Sequence, residues 1–310
     1  MPRGSRTVPR TILFITSPEI NFLEDIIHEG LDELLGPERV ICYPYKDYSR
    51  FQYNLYPESA QKHPHRMPVG RLRLLEMRGS VDAVVVGSIR GQAVKTWGEL
   101  QDEFTRCPVA ILHGEESDDP WPTGIRYTHR FRMDLLPEQS EPGLFPLPLA
   151  APARVMLPED LPRDIDVSLV ARSTHDIRRR CAEALSREGF LVLMDVDLPR
   201  EQFCWILNRS KIAVSTRGAA YDTFRYWEIP YHGALLLSQR LPILIPDNFV
   251  DGQSAVFFDT PEEMMARIHE LLADPGRLAE IAANGRRLSH EKHTAKARAR
   301  YMLERMGLTV

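Results

Sequence analysis

The stretch Lys211-Ile-Ala-Val-Ser-Thr-Arg-Gly-Ala-Ala-Tyr-Asp-Thr-Phe-Arg-Tyr-Trp-Glu-Ile-Pro-Tyr-His-Gly-Ala-Leu-Leu-Leu-Ser238 decides how this chain is read. It opens on a short apolar run ending at Ser215, which suits a buried strand. Small and polar residues follow from Thr216 to Ala220. A short helix then carries Arg225 and Glu228 one turn apart, stops at Gly233, and gives way to a second apolar run, Ala234 to Ser238. Strand, polar loop, short helix and strand is the order in which α/β proteins present a ligand site.

Working outward, the same alternation recurs on both sides. Downstream, Ala255–Phe258 reads as a strand. Thr260-Pro-Glu-Glu263 then supplies an N-cap, a proline at the first helical position and a capping-box glutamate. Asp274-Pro275 starts a further helix, and residues 286–305 read as one basic terminal helix. Upstream, Ile165–Val170 is a strand, and a polar loop leads into a helix that stops at Gly189. Phe190–Met194 is the next strand and Arg200–Asn208 the next helix. The first 150 residues follow the same rule: Thr11–Thr16, Arg39–Tyr43, Val81–Gly87 and Val109–His113 are strand-like. After the first of these, Ser17-Pro-Glu19 opens a helix carrying Phe22, Ile26, Ile27 and Leu31 inward. Such alternation predicts parallel sheets covered by helices.

Seven prolines between residues 137 and 163 separate the two halves, and proline-rich segments act as semi-rigid spacers. The expected layout is a tail over 1–10 (disordered or vector-derived), an N-terminal domain over 11–150 and a proline-rich linker over 151–163. A C-terminal domain over 164–285 follows, then a basic helix over 286–310 able to cross back to the first domain. The whole reads as an α/β protein of two Rossmann-like domains facing across a cleft.

At 310 residues with 43% hydrophobic and 26% charged residues, the chain can bury full cores. A net charge of −4 gives no overall pull towards nucleic acid. No apolar run reaches the ~18 residues a membrane span requires, so a cytoplasmic protein without an integral membrane segment is expected. Cys42, Cys107, Cys181 and Cys204 are scattered without a CxxC pair and read as small hydrophobes. His63-Pro-His65 lacks a third ligand, and no metal is expected.

Arg225 and Glu228 share a helix face, and their ordinary reading is a surface ion pair. Their functional reading pairs the carboxylate with a ribose diol and the guanidinium with phosphate, for which its planar fork of donors is suited. Ser215, Thr216, Gly218 and Thr223 add hydroxyls and backbone N–H groups where anions are held.

The run Asn208-Arg-Ser-Lys-Ile-Ala-Val-Ser, followed by Arg225-Tyr-Trp-Glu-Ile-Pro-Tyr-His-Gly-Ala-Leu-Leu-Leu-Ser, resembles the C-terminal half of GT-B glycosyltransferases. The spore-maturation CgeB-like subgroup is the nearest match, with a looser similarity to exostosin-type transferases. Asp251-Gly252, Val256-Phe-Phe-Asp259, Pro261-Glu-Glu263, Gly285-Arg286 and His293-Thr294 continue the family order, and the resemblance spans about residues 165–300. It implies a nucleoside-diphosphate sugar, UDP-sugar first, bound by the second domain as co-substrate with no other cofactor. The acceptor, held by the first domain, is left open among small molecule, glycan, protein and nucleic acid, and a homodimer is compatible with it.

Carried over, the resemblance puts Glu228 on the ribose, Arg225 and Arg217 near the diphosphate, and Arg172 and Arg178 on the phosphate side. The wider class carries two glutamates seven or eight residues apart. Ala220–Asp222 occupies the earlier position here, and Asp222 can stand in.

Catalytic candidates are strand-end residues of the first domain: Glu19, His113, Asp118 and Asp119, with Arg90 and Glu115 beside them. A metal-independent glycosyltransferase is the leading reading. The alternatives are a nucleotide-sugar epimerase or hydrolase on the same fold, and a non-catalytic protein that binds a nucleotide sugar or a partner. On this reading Glu228→Ala abolishes sugar-donor binding and leaves the melting temperature nearly unchanged.

Overall fold

The computed structural model describes residues 11–19, 21–46, 68–153 and 156–309. The 1–10 tail and the His63-Pro-His65 pair lie outside them. The chain divides into two compact units, and the C-terminal segment from Ala295 belongs with the N-terminal one.

The N-terminal unit is a parallel sheet of β1 (Ile12–Ile15), β2 (Val40–Tyr43), β3 (Ala83–Val86), β4 (Val109–His113), β5 (His129–Arg132) and β6 (Leu144–Pro146), in the order β2-β1-β3-β4-β5-β6. Its central strands are apolar on both faces and fully buried, as a sheet covered by helices requires. Proline ends β6 at the sheet edge, where a missing N–H is tolerated. Helices α1 (Phe22–Leu35), α2 (Arg71–Glu76) and α3 (Gly91–Leu100) connect the strands.

The start of α1 differs from the sequence expectation. Asn21, not Ser17, caps it by accepting from the Glu24 N–H at 3.1 Å. That register buries Leu23 and turns Phe22 outward.

The C-terminal unit is a five-stranded parallel sheet of β7 (Ile165–Ala171), β8 (Leu191–Met194), β9 (Ser210–Ser215), β10 (Leu235–Gln239) and β11 (Val256–Phe258), in the order β11-β10-β9-β7-β8. Helices α4 (Asp176–Arg187), α5 (Arg200–Arg209), α6 (Phe224–Tyr231), α7 (Pro261–Ala273) and α8 (Pro275–Lys292) complete it. The expected cap of α7 is present: the Thr260 hydroxyl accepts from the Glu263 N–H at 3.2 Å, and the Glu263 carboxylate accepts from the Asp259 N–H at 2.9 Å. Gly189 and Gly233, at φ +78° and +77°, follow α4 and α6 in the left-handed region that glycine tolerates. Residues of the proline-rich stretch pack on this unit, where Asn208 Nδ2 donates to the Leu157 carbonyl at 2.7 Å.

The terminal basic segment is two helices rather than one. α8 ends at Lys292, His293-Thr294 breaks the run, and α9 (Ala295–Arg305) follows. The Ala151 N–H donates to the His293 carbonyl at 3.0 Å, which takes that backbone out of helix. α9 then lies on α1, whose Gly30 has no room for a side chain: a Cβ there would stand 2.0 Å from the Ala295 carbonyl oxygen. Nor is its basic face wholly solvated, since buried Arg298 donates to the carbonyls of Pro148 and Leu149 at 3.1 and 3.0 Å.

Candidate functional site

In each sheet, successive crossovers leave in opposite directions at one strand pair, and ligands of open parallel sheets sit outside the carboxyl ends of such a pair. In the C-terminal unit the pair is β7 and β9. Their following loops are Arg172–His175 and Thr216–Thr223, the same loops the sequence singles out.

Arg178, on the first turn of α4, ties these two loops together. It donates to the Arg172 carbonyl and Thr174 Oγ1, both at 3.0 Å, and to the Thr216 carbonyl at 3.3 Å. Gly218 lies directly over it, with a Cβ position 3.0 Å from Arg178 Nη2. Ser215 and Thr216 are buried, and no donor or acceptor among the described residues meets Thr216 Oγ1. Buried hydroxyls are normally satisfied, so this one marks a polar place in the crevice. Arg172 is half-exposed and paired with Asp197. Arg217 folds back on its own loop, donating to the Ala219 carbonyl at 3.0 Å with its guanidinium 3.9 Å from the Tyr221 ring centre. Thr223 stands at the N-cap position of α6, but its side chain makes no capping hydrogen bond.

Asp222 and Glu228 are both buried. The Asp222 carboxylate accepts from the Trp227 indole at 2.7 Å. Glu228, 2% exposed, is held by two arginines: Arg200 donates to Oε1 at 2.8 Å and Arg225 to Oε2 at 2.6 Å. Burial alone would raise its pKa, yet the two guanidinium groups outweigh that and hold it below the usual carboxylate range. Both arginines also lie on the Phe203 ring, at 5.0 and 4.2 Å from its centre.

Sequence reasoning missed Arg200. Its signal is position alone, an arginine opening a helix whose apolar residues face inward, and nothing in spacing ties it to a residue 28 positions away. The triad also reverses the expectation that removing Glu228 spares stability, since the buried charge that Arg200 and Arg225 share would be gone.

In the N-terminal unit the corresponding strand pair is β1 and β3. Buried Glu24 fills it: its carboxylate accepts from the Ser17 N–H at 3.3 Å after β1, and lies where a Cβ on Gly87 would fall, 2.8 Å away, after β3. Buried Lys46 donates to Glu24 at 3.0 Å and to Asp25 at 3.2 Å. Burial, against the pull of Lys46, pushes the Glu24 pKa up to about 7. Glu19 is exposed and its carboxylate takes the Ser17 hydroxyl.

Past β4, the acidic loop is neutralised by arginines. Arg132 donates to Asp118 at 2.6 Å, and Arg90 pairs with Asp119 and, at 3.2 Å, with Glu115. His113, fully buried, donates through Nε2 to the Asp119 carbonyl at 3.2 Å. Its Nδ1 lone pair meets no donor among the described residues. Burial, then Arg132, lowers its pKa and keeps the imidazole neutral. No group of three metal-ligating side chains forms among the described residues, and no helix among them is long and apolar enough to cross a membrane.

Residues 180–304 match the family model described as Glycosyl transferase-like. No curated protein sequence matches the chain. Among solved structures, Anabaena HepE with UDP and glucose shares the fold at a TM-score of 0.62 and 10% identity, over 96% of this chain and 99% of that one. A glycosyltransferase from Rickettsia africae superposes at 0.60 with 11% identity, over 97% and 98%. An α-glucosyltransferase bound to UDP-glucose and DNA with an abasic site does so at 0.59 with 10% identity, over 96% and 98%. The fold is therefore that of GT-B glycosyltransferases: two parallel α/β sheets, of six and five strands.

Proposed function

We propose that the chain is a nucleotide-sugar glycosyltransferase whose C-terminal unit holds the nucleoside diphosphate outside the carboxyl ends of β7 and β9. One observation carries the reading. Arg172 and Arg225, a hydroxyl-bearing loop with an unsatisfied Thr216 and the uncapped start of α6 converge on that strand pair. Arg178 shapes the crevice by bracing both loops and is a weaker candidate for direct contact, because its guanidinium already serves three oxygens. Guanidinium groups and helix N-termini are suited to phosphate, and with them supplying the positive charge the enzyme works without a metal.

The structural relatives crystallised with UDP or UDP-glucose make UDP-sugars the first donors to try. Within the fold class, the chain belongs with the CgeB-like subgroup. The N-terminal unit takes the acceptor, and His113 is its best candidate base, being neutral and holding an unclaimed lone pair at a strand end.

A thermal-shift screen against UDP, GDP, ADP and TDP sugars tests this. A ligand that binds only the native state raises its stability, by about 2.7 kcal/mol at a hundred times its Kd, so one base should raise Tm over the others. No shift with any of them overturns the reading. Nucleoside diphosphate released only when acceptor is present identifies transfer, whereas release without acceptor identifies hydrolysis.

A further inference from the structure

We infer that the C-terminal unit carries a second ligand site, at the opposite end of its sheet from the crevice of β7 and β9, and that this site takes a single-chain fatty carboxylate. The site stands whether or not the crevice holds a nucleotide sugar.

A trough of about 670 Å³ lies against α8, in the size range of small-molecule sites, roughly 300–1,000 Å³. Its place follows from where the strands begin: Arg163 precedes β7, Lys211 is the second residue of β9, and Gly233 comes just before β10. The crevice loops leave the other ends of β7 and β9. At ~3.3 Å per residue, the length of β9 sets the two sites on the order of 15 Å apart. The lining is largely apolar. Leu278 and Ala282, four apart on α8, are joined by Leu272 from α7 and Leu161 from the proline-rich stretch. Ala279, beside them on α8, is exposed, and its small side chain leaves the trough open.

The charges around Gly233 are not balanced. A Cβ there would stand 2.8 Å from Arg163 Nη2 and 3.1 Å from Arg286 Cδ, so two arginines meet over that glycine. Arg163 donates to the carbonyls of Leu207, Ser210 and His232 at 3.1, 2.6 and 2.7 Å, which ties the end of α5 to the end of α6. None of those oxygens carries a formal charge. The carboxylate nearest to it, Asp160, pairs instead with Arg286 at 3.2 Å. Burial, and next the charge of Arg286, lower the Arg163 pKa, as expected of a guanidinium short of counter-charge. Lys211, also in the lining, is matched by Asp166 at 2.5 Å. Three cations thus meet two carboxylates, and one positive charge is left over. A fatty carboxylate answers both features. Its head brings one negative charge with two oxygens that suit a guanidinium fork, and its chain leaves water for the wall of Leu272 and Leu278. A phosphate monoester would bring up to two charges, and a small anion would leave the apolar wall wet.

The test is calorimetry on the intact protein with dodecanoate, dodecyltrimethylammonium and butyrate, each kept below the concentration at which it forms micelles. Dodecanoate should saturate at one per chain. Dodecyltrimethylammonium has the same chain and the opposite charge, and butyrate the same head and little chain. Each should bind at least roughly tenfold more weakly, the range for losing a bond between charged groups. Arg163 is unsuitable for substitution because it also braces three carbonyls, so the variants fall on α8. Arg286→Gln, at a partly exposed position, should weaken dodecanoate roughly tenfold and leave dodecyltrimethylammonium no weaker than before. Ala279→Trp fills the trough from an exposed position and should weaken dodecanoate at least as much, with cooperative unfolding retained. Equal binding of the two twelve-carbon probes, or undiminished dodecanoate binding in both variants, overturns the site. Binding to phosphatidylglycerol vesicles without binding to monomeric dodecanoate makes this face a membrane contact and overturns it as well.

Discussion

Among the described residues, at the strand pair where its crossovers diverge, the N-terminal unit buries two carboxylates that share a lysine, and the C-terminal unit holds a carboxylate between two arginines. Glu24 and Asp25 share Lys46 in the first; Arg200 and Arg225 share Glu228 in the second. Both sheets are parallel and put the same kind of crevice at the same topological position, so the sheet does not dictate the charge. The consequence is opposite protonation behaviour. Two cations hold Glu228 ionised, whereas a shared cation cannot offset the burial of Glu24, whose pKa rises to about 7. Where the fold is common to both units, the choice of ligand is left to side chains that the sheet only positions.

The sharpest way to break this comparison is to remove each carboxylate's charge. Glu228→Ala removes the buried carboxylate that Arg200 and Arg225 share and should cost about 3–5 kcal/mol, read as a fall in the urea midpoint of unfolding. Glu24→Gln removes a charge that is already half-neutralised near pH 7 and leaves Lys46 with Asp25, so its cost should stay below about 1.5 kcal/mol. Similar losses in the two variants would show that the two crevices are not electrostatic opposites.

The pH dependence separates the units next. Glu24 holds its proton more tightly folded than unfolded, so its contribution is full below pH 4.5 and is lost as pH rises through about 7. His232, whose Nδ1 donates to the Glu228 carbonyl at 2.9 Å, is pushed down to about 4 by burial. Its contribution has the opposite sign: full above pH 6.5, and lost as pH falls towards 4. Each is worth on the order of 3 kcal/mol across its window. Denaturation curves at pH 5, 6 and 7 should show Glu24→Gln steepening the loss on the acid side and His232→Asn flattening it. Parallel curves for the two variants would refute the assignment.

A steric contrast comes third. Gly30→Ala sets a Cβ 2.0 Å from the Ala295 carbonyl, so α9 must shift, at a cost near the upper end of the 1–3 kcal/mol typical of overpacking. Gly218→Ala meets no backbone, only the side chains of Arg178 at 3.0 Å and Thr174 at 3.3 Å, and should cost less than Gly30→Ala while disturbing nucleotide binding. Calorimetric Tm against UDP affinity separates these two outcomes.

Much of the fold was legible in the sequence because its signals are local. The runs Val109–His113 and Leu235–Ser238 are apolar on both faces, and Thr260-Pro-Glu-Glu263 caps its helix within one turn. What escaped was long-range. Arg200 joins Glu228 from another helix, and Glu24 reaches Ser17 and Gly87 only once β1 and β3 are side by side. The single basic helix over 286–305 failed for the same reason: the break at His293-Thr294 is made by Ala151, more than a hundred residues away, and no helical period records it. In the candidate site, the loops after β7 and β9 were readable as small-residue and polar runs. Which of their arginines brace the loops and which face solvent was not, since Arg178 and Arg172 look alike in sequence.

That last distinction supplies the smallest effect and a direct test of the crevice. Arg172 is half-exposed and pairs with exposed Asp197, so Arg172→Ala should change stability by no more than about 1 kcal/mol, as surface pairs do. If its guanidinium meets the diphosphate, the same change should weaken UDP binding several-fold and reduce the salt dependence of that binding, because a charged contact screened by ions is gone. Arg178→Ala should behave differently. It frees the carbonyls of Arg172 and Thr216 together, so stability and UDP affinity should fall in parallel. An Arg172 variant that loses stability without losing UDP would make that residue another brace, and would leave Arg225 as the main cation facing the diphosphate.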